Sequence, residues 1–290
     1  MLIRRKRKSQ LNRLDGARFY GPGSVFNRLL CFIFLSIVSL GCPKRVETGR
    51  LGAAIDPKEV LDLTSKVEGQ VLSIKGEGRL RVEAPGSKGA PQVFGAAARP
   101  AFLRFEVLGF FGQPEAILVS NGKSFALLQN DQRKYFRGPA SPENISRLLP
   151  VVLPGPELVR ILLGAAPRGA AEDYSAQPLD DGQVVLVTLS GGPRNQKLWI
   201  RQTDDRVLKS EVRGPVSYDL LFEDFQPKGP INFPHKITLF ASSASAVLEL
   251  RYREVGVNVD LEPSLFKLTP PEGANVIDLD ENGRPRTSAL

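Results

Sequence analysis

Val71-Leu72-Ser73-Ile74-Lys75-Gly76-Glu77-Gly78-Arg79-Leu80-Arg81-Val82-Glu83-Ala84 is the stretch on which the fold turns. Leu72, Ile74, Gly76, Gly78, Leu80, Val82 and Ala84 take the even positions; Ser73, Lys75, Glu77, Arg79, Arg81 and Glu83 take the odd ones. Successive side chains of a strand point to opposite faces, so this alternation predicts one long strand with a buried and a solvated side. At ~3.3 Å per residue it spans about 45 Å. Two glycines fall on the apolar side, where missing side chains let a strand bend sharply. A long, bent, half-buried strand suits a curved sheet or an open barrel.

The same period recurs downstream of it. Residues 101–108, 115–120, 123–129 and 133–137 read as short strands, with Asn121-Gly122 as a hairpin signal between the second and third. After Pro178 the pattern returns at 183–190, 196–202, 206–213, 216–223, 235–242 and 246–254, followed by a closing element at 260–268. Helical spacing interrupts it three times. Asp56 as N-cap, Pro57 and Glu59 open a first helix whose apolar face is Val60, Leu63 and Val67. In mid-chain Ser141-Pro142-Glu143-Asn144 opens a second, with Ile145, Leu148 and Leu149 as its stripe. A third starts near Pro156, carries Leu158, Ile161 and Leu162, and ends at Gly164. The result is a mainly β (α+β) chain of about eleven strands with two or three short helices.

The N-terminus is a targeting segment. Arg4, Arg5, Lys6, Arg7, Lys8, Arg13, Arg18 and Arg28 precede an apolar run from Leu29 to Leu40. That run is shorter than the ~20 residues a membrane-spanning helix needs, and it has the length of a signal h-region. Ser39-Leu40-Gly41-Cys42 follows and resembles the lipobox of bacterial lipoproteins, with the aliphatic residue one place late. On that reading residues 1–41 are a lipoprotein signal peptide and Cys42 is the lipidated first residue of the mature chain. Ordinary signal cleavage near Gly41, or an uncleaved anchor, are the alternatives. Residues 42–55 form the lipidated Cys and a flexible tether, 56–280 one domain, and 281–290 a frayed tail.

Charge and cysteines narrow the function. The chain is formally +8, but the leader holds eight cations against Asp15 alone, which is +7 and leaves +1 for the rest. The basic excess belongs to targeting, so a nucleic-acid partner loses its support. Of the two cysteines, Cys31 lies in the h-region and Cys42 at the lipid site, so the mature domain has no disulfide and no thiol nucleophile. His235 is the sole histidine and has no second histidine to pair with. No nucleophile elbow or P-loop occurs, and Gly76-Glu77-Gly78 continues a strand. Asp278, Asp280, Asn282 and Gly283 mimic the start of a calcium loop, but its closing glutamate is replaced by Ala289. Catalysis, metal and cofactors are not expected.

Leu108-Gly109-Phe110-Phe111-Gly112, Ser120-Asn121-Gly122-Lys123, Tyr135-Phe136-Arg137-Gly138-Pro139, Ser141-Pro142-Glu143-Asn144 with Arg147-Leu148-Leu149, and Leu158 to Gly164 carry a family likeness, and the run from Phe233-Pro234 to Phe266-Lys267-Leu268 resembles related lipoproteins of undefined role. Meander, short helices and second meander on a lipidated domain resemble the LolA/LolB superfamily of lipoprotein-handling proteins. The resemblance implies a half-open antiparallel β-barrel with helices over its mouth and an apolar cavity for acyl chains. It also implies a protruding membrane-insertion loop, here Leu108, Phe110 and Phe111, with two aromatics where the family has one aliphatic residue. Independently, adjacent phenylalanines between glycines cannot both face a core, and one left in water forgoes ~2 kcal/mol of burial. A loop folded over its own barrel end is the alternative.

Leu80, Val82, Phe105, Leu118, Phe125, Trp199, Phe222 and Phe240 are expected to line the cavity, with plain core as the alternative for each. The expected protein is a monomeric, outer-membrane-anchored periplasmic lipoprotein that binds lipoprotein acyl chains or other lipids, received from a periplasmic carrier protein. Pro43, in place of an inner-membrane-retaining aspartate, favours the outer membrane. The rival is a structural lipoprotein with a filled barrel that docks on an envelope assembly.

Overall fold

The computed structural model describes residues 55–286. The signal peptide, Cys42, the tether up to residue 54 and residues 287–290, including Ala289, lie outside the described residues. Helix α1 (Pro57–Gly69) leads into the long strand β1 (Ser73–Ala84). The chain continues through β2 (Ser87–Gly89), β3 (Gln92–Ala98), β4 (Phe102–Leu108), β5 (Pro114–Asn121), β6 (Ser124–Gln129) and β7 (Lys134–Pro139). Two helices, α2 (Pro142–Ile145) and α3 (Gly155–Leu162), come next. They are followed by β8 (Asp173–Leu179), β9 (Val184–Ser190), β10 (Asn195–Arg201), β11 (Arg206–Arg213), β12 (Tyr218–Lys228), β13 (Ile231–Ala241) and β14 (Ala246–Val257). A 3-10 turn (Pro263–Phe266) and β15 (Asn275–Asp278) end the described chain.

One open sheet of 15 strands holds all of these, in the order β15-β7-β6-β5-β4-β3-β1-β14-β13-β12-β11-β10-β9-β8, with β2 on β1. Neighbours are antiparallel except for β15, which runs parallel to β7. The sheet does not close, and α2 and α3 connect strands near its two ends. β1 lies mid-sheet between β3 and β14, and its ladder with β14 is broken by a bulge between Glu77 and Gly78. A Cβ at Gly76 or Gly78 would run into the carbonyl oxygens of Glu254 and Arg251, so the two glycines let β14 come close at that bulge.

Four strands, β2, β3, β8 and β15, were not legible as period-2 runs. β3 contains Gly95-Ala96-Ala97-Ala98, which are poor strand formers held by two flanking strands. β8 is polar, carries Pro178 and sits at an edge where a missing donor is tolerated. β15 is fixed beside β7 by Arg137, whose Nε donates to Asp278 Oδ1 at 2.6 Å. That pair also occupies the first residue of the apparent calcium loop.

The main core lies on one face of the sheet, here called inner, and includes residues of α1, α2 and α3. On the outer face Ile117, Val119, Ala126, Leu128 and Tyr135 form a smaller cluster under Leu268 and Ala274. The segment 260–268, read from the sequence as a short closing element, covers this patch. Tyr135 donates to Leu268 O at 2.6 Å, and Phe266 meets Phe102 with ring centroids 5.3 Å apart.

Helix α1 begins as its sequence predicts, with Asp56 accepting from Lys58 N at 2.9 Å ahead of Pro57. Its buried stripe is different from the expected one: Val60, Leu61, Thr64 and Glu68 face inward, while Leu63 and Val67 are half-buried. Thr64 satisfies its hydroxyl on Val60 O, and Glu68 finds cations inside, so two polar residues take a buried face.

Candidate functional site

Helix α3 is amphipathic because Leu158, Ile161 and Leu162 recur at helical spacing, and it packs against β3 and β4. Between those side chains and the sheet lies an apolar cavity of about 50 Å³. Its sheet side is Leu80 of β1, Phe105 of β4, Ile237 and Leu239 of β13, and Leu248 and Leu250 of β14. Leu149 and Val151 close it from the α2–α3 link. Val151 and Leu239 also line a wider surface pocket of about 280 Å³ with Val152, Leu153, Val216 and Ala241. The small cavity and this vestibule thus share two side chains, and Val152 stands 47 % exposed at the outer rim.

Polar contacts hold α3 at both ends. At its start Glu157 accepts from Arg194 Nη1 at 2.9 Å and from the Tyr218 hydroxyl at 3.0 Å. Burial, together with the Glu157 charge, pushes the Tyr218 phenol upward, so it stays a donor. Just beyond the other end, Glu68 of α1 accepts from Ala166 N at 3.1 Å and from Arg168 Nη2 at 2.7 Å, with Arg160 Nη2 at 3.5 Å. Burial pushes the Glu68 carboxyl up, against the pull of Arg168. Tyr252 of β14 adds a hydroxyl bond to Leu162 O at 3.3 Å.

The expected lining residues divide into three groups. Leu80 and Phe105 line the cavity. Leu118, Phe125 and Phe222 are buried in the main core away from it, and Val82 packs half-buried against that core. Trp199 and Phe240 face outward, contrary to expectation. Trp199 alternates with buried Leu198 and Ile200 and has Lys209 Nζ 4.5 Å from its ring centroid; Phe240 is 38 % exposed between Leu239 and Ala241. Not anticipated as lining were the helix side and the β13–β14 pair. The readable signal for both was present, in the α3 stripe and in Ile237/Leu239 and Leu248/Leu250 at period two.

Away from the cavity, the loop between β4 and β5 presents Phe110 at 94 % and Phe111 at 88 % exposure, above a half-buried Leu108. The two rings meet edge to face, with centroids 5.1 Å apart. The backbone beneath is tied: Gly109 N donates to Gln113 O at 2.8 Å, Gly112 N to Gly109 O at 2.9 Å, and Phe111 N to Gln113 Oε1 at 3.1 Å. Gly112 supplies the left-handed turn at φ +79°. The loop therefore holds both aromatics in solvent; it does not fold them over the sheet.

Among the described residues no group of three or more His, Cys, Asp or Glu is placed to hold a metal ion. His235 is buried beside Phe233, and among the described residues no carboxylate forms an ion pair with it.

No protein-family model matches this chain, and no curated protein matches it in sequence. Solved structures do resemble it. A LolA superfamily protein from Nitrosomonas europaea superposes with a TM-score of 0.51 at 15% identity, covering 74% of this chain and 99% of its own. A DUF1329 family protein from Desulfovibrio piger superposes at 0.53 with 11% identity, covering 73% and 98%. At such identities the likeness is one of fold.

Proposed function

We propose that this chain, whose fold is LolA/LolB-like, is a non-enzymatic envelope lipoprotein that handles acyl chains at a membrane. Cys42 anchors it to the outer membrane after removal of residues 1–41, and residues 42–55 tether the domain formed by 56–280. Acyl chains of lipoproteins or other lipids enter through the vestibule and lodge between α3 and the inner face. Hydrocarbon burial, at ~0.8 kcal/mol per methylene, is non-directional and suits cargoes that share only their lipid. The carrying observation is the Phe110–Phe111 loop. Two aromatic rings held almost wholly in water on a pinned backbone are the surface a bilayer would receive.

A second reading has its own support. The cavity of about 50 Å³ is far below the roughly 300–1,000 Å³ of ordinary ligand pockets, which favours a filled scaffold docking on an envelope assembly. Mass spectrometry of lipids co-purifying with the Cys42→Ser chain, with titration of a fluorescent acyl probe, separates the two. Bound lipid supports cargo handling; no lipid and no probe binding support the scaffold. Replacing Phe110 and Phe111 together by Ser should cut vesicle binding at least tenfold while the thermal midpoint stays within a degree or two, because neither ring is buried. Unchanged vesicle binding would remove the loop from the mechanism.

A further inference from the structure

We infer that the outer face beside the Phe110–Phe111 loop is a docking groove for anionic phospholipid headgroups, which selects the bilayer that the loop enters. This rests on the reading that the loop contacts a bilayer. Strand register carries it. Arg251 of β14 lies directly opposite Arg79 of β1, Arg79 opposite Gln92 of β3, and Gln92 opposite Leu108 of β4. One lateral row across four strands therefore runs from two arginines to the base of the aromatic loop.

Directly opposed like charges destabilise a strand pair. Of the flanking rows, Arg81 faces Glu249 and Glu83 faces Lys88; Glu77 faces Glu254, a like pair too, but Glu77 is bridged to Arg253 at 2.6 Å. Among the described residues no carboxylate lies within 4 Å of Arg79, and Arg251 reaches Glu249 only at 3.7 Å. The row, in which Arg79 has no ion pair and Arg251 a long one, lies over a groove of about 300 Å³ lined by Glu77, Arg79, Gln92, Leu108, Arg251 and Arg253. The bulge at Glu77/Gly78, where the β14 backbone presses against the bare Gly78, lies at its floor. Of the three guanidiniums there, Arg253 is taken by Glu77, which leaves Arg79 and Arg251 to face a ligand. Guanidinium forks match phosphate oxygens two at a time.

The groove's position selects a headgroup over a free anion. Strands lie ~4.8 Å apart, so Arg79, two strands from Leu108, sits about 10 Å from the loop base. The arginines share a lateral row with the loop base, and inserting side chains sink roughly 5–10 Å, so a row at that base meets the headgroup layer once the phenylalanines enter. Leu108 joins the groove to the inserting loop.

The test is flotation of the full chain with phosphatidylcholine vesicles, pure or doped with phosphatidylglycerol, at fixed ionic strength. The leader's charges are common to every variant. R79Q/R251Q should weaken binding to doped vesicles about tenfold, leave binding to pure phosphatidylcholine unchanged, and keep or raise Tm by relieving the opposed charges. Unchanged affinity for doped vesicles overturns the groove, as does an equal loss on both compositions. Displacement by inorganic phosphate beyond that by chloride at matched ionic strength would assign the arginines to a free anion and overturn it too. F110S/F111S reads the loop separately: it should weaken binding to both vesicle types at least tenfold. If it binds as the parent does, the loop reading fails while the arginine effect remains measurable.

Discussion

Single residues show what parity can and cannot reveal. Phe110 and Phe111 were readable because flanking glycines and adjacency forbid both from entering one core. Trp199 shares its parity with Lys197 and Arg201, and Phe240 with Lys236, so their outward orientation was also written in the strand, although aromatic size argued for burial. His235 was legible only as a lone histidine. Its burial at 3 % exposure, with Nδ1 lacking a hydrogen-bond partner, was not. Burial and nearby Lys228 hold its imidazole below the ordinary histidine range. A depressed folded-state value stabilises fully above pH ~6.5 and is lost as pH falls through the lowered value. Unfolding midpoints in denaturant should therefore drop between pH 6.5 and 5 for the parent and drop less for His235→Gln; parallel pH profiles would show that another group governs the acid limb.

Elements were read best where the chain alternates cleanly, as in β1, and worst where neighbours impose the conformation, as in the alanine-rich β3. Helix α3 is an element whose sequence declares its apolar stripe but not its restraints. Those come from residues distant in sequence: Arg194 and Tyr218 at one end, Glu68 of α1 at the other, and Tyr252 beneath. Glu68 was hidden because a glutamate in the last turn of a helix normally faces water; its i, i+4 spacing from Thr64 and Val60 was the only hint. Removing one partner of a buried ion pair leaves the others uncompensated, at about 3–5 kcal/mol. Glu68→Gln should cost about 3 kcal/mol in denaturant unfolding, and hydrogen exchange should accelerate first across α3 and residues 163–168. A cost below 0.5 kcal/mol would mean that Arg168 is already solvated without it.

At the scale of the whole molecule, the open sheet and its inner core followed from the alternation, but the volume left inside depends on how α3 seats, which no local pattern encodes. The cavity admits little more than one small group, so an acyl chain can enter only if α3 and the 150–154 link move away from β13 and β14. Leu239 stands at the neck, lining both the cavity and the vestibule. Leu239→Phe fills existing space with an apolar group, so its effect on stability should stay under about 1.5 kcal/mol. If chains pass that neck, the acyl probe should bind at least tenfold more weakly to the variant, with Tm nearly unchanged. If the interior is a permanent core and the protein a scaffold, neither parent nor variant binds the probe and envelope function survives the substitution. Equal, tight probe binding by both would place the hydrocarbon elsewhere on the molecule and free α3 of any part in its uptake.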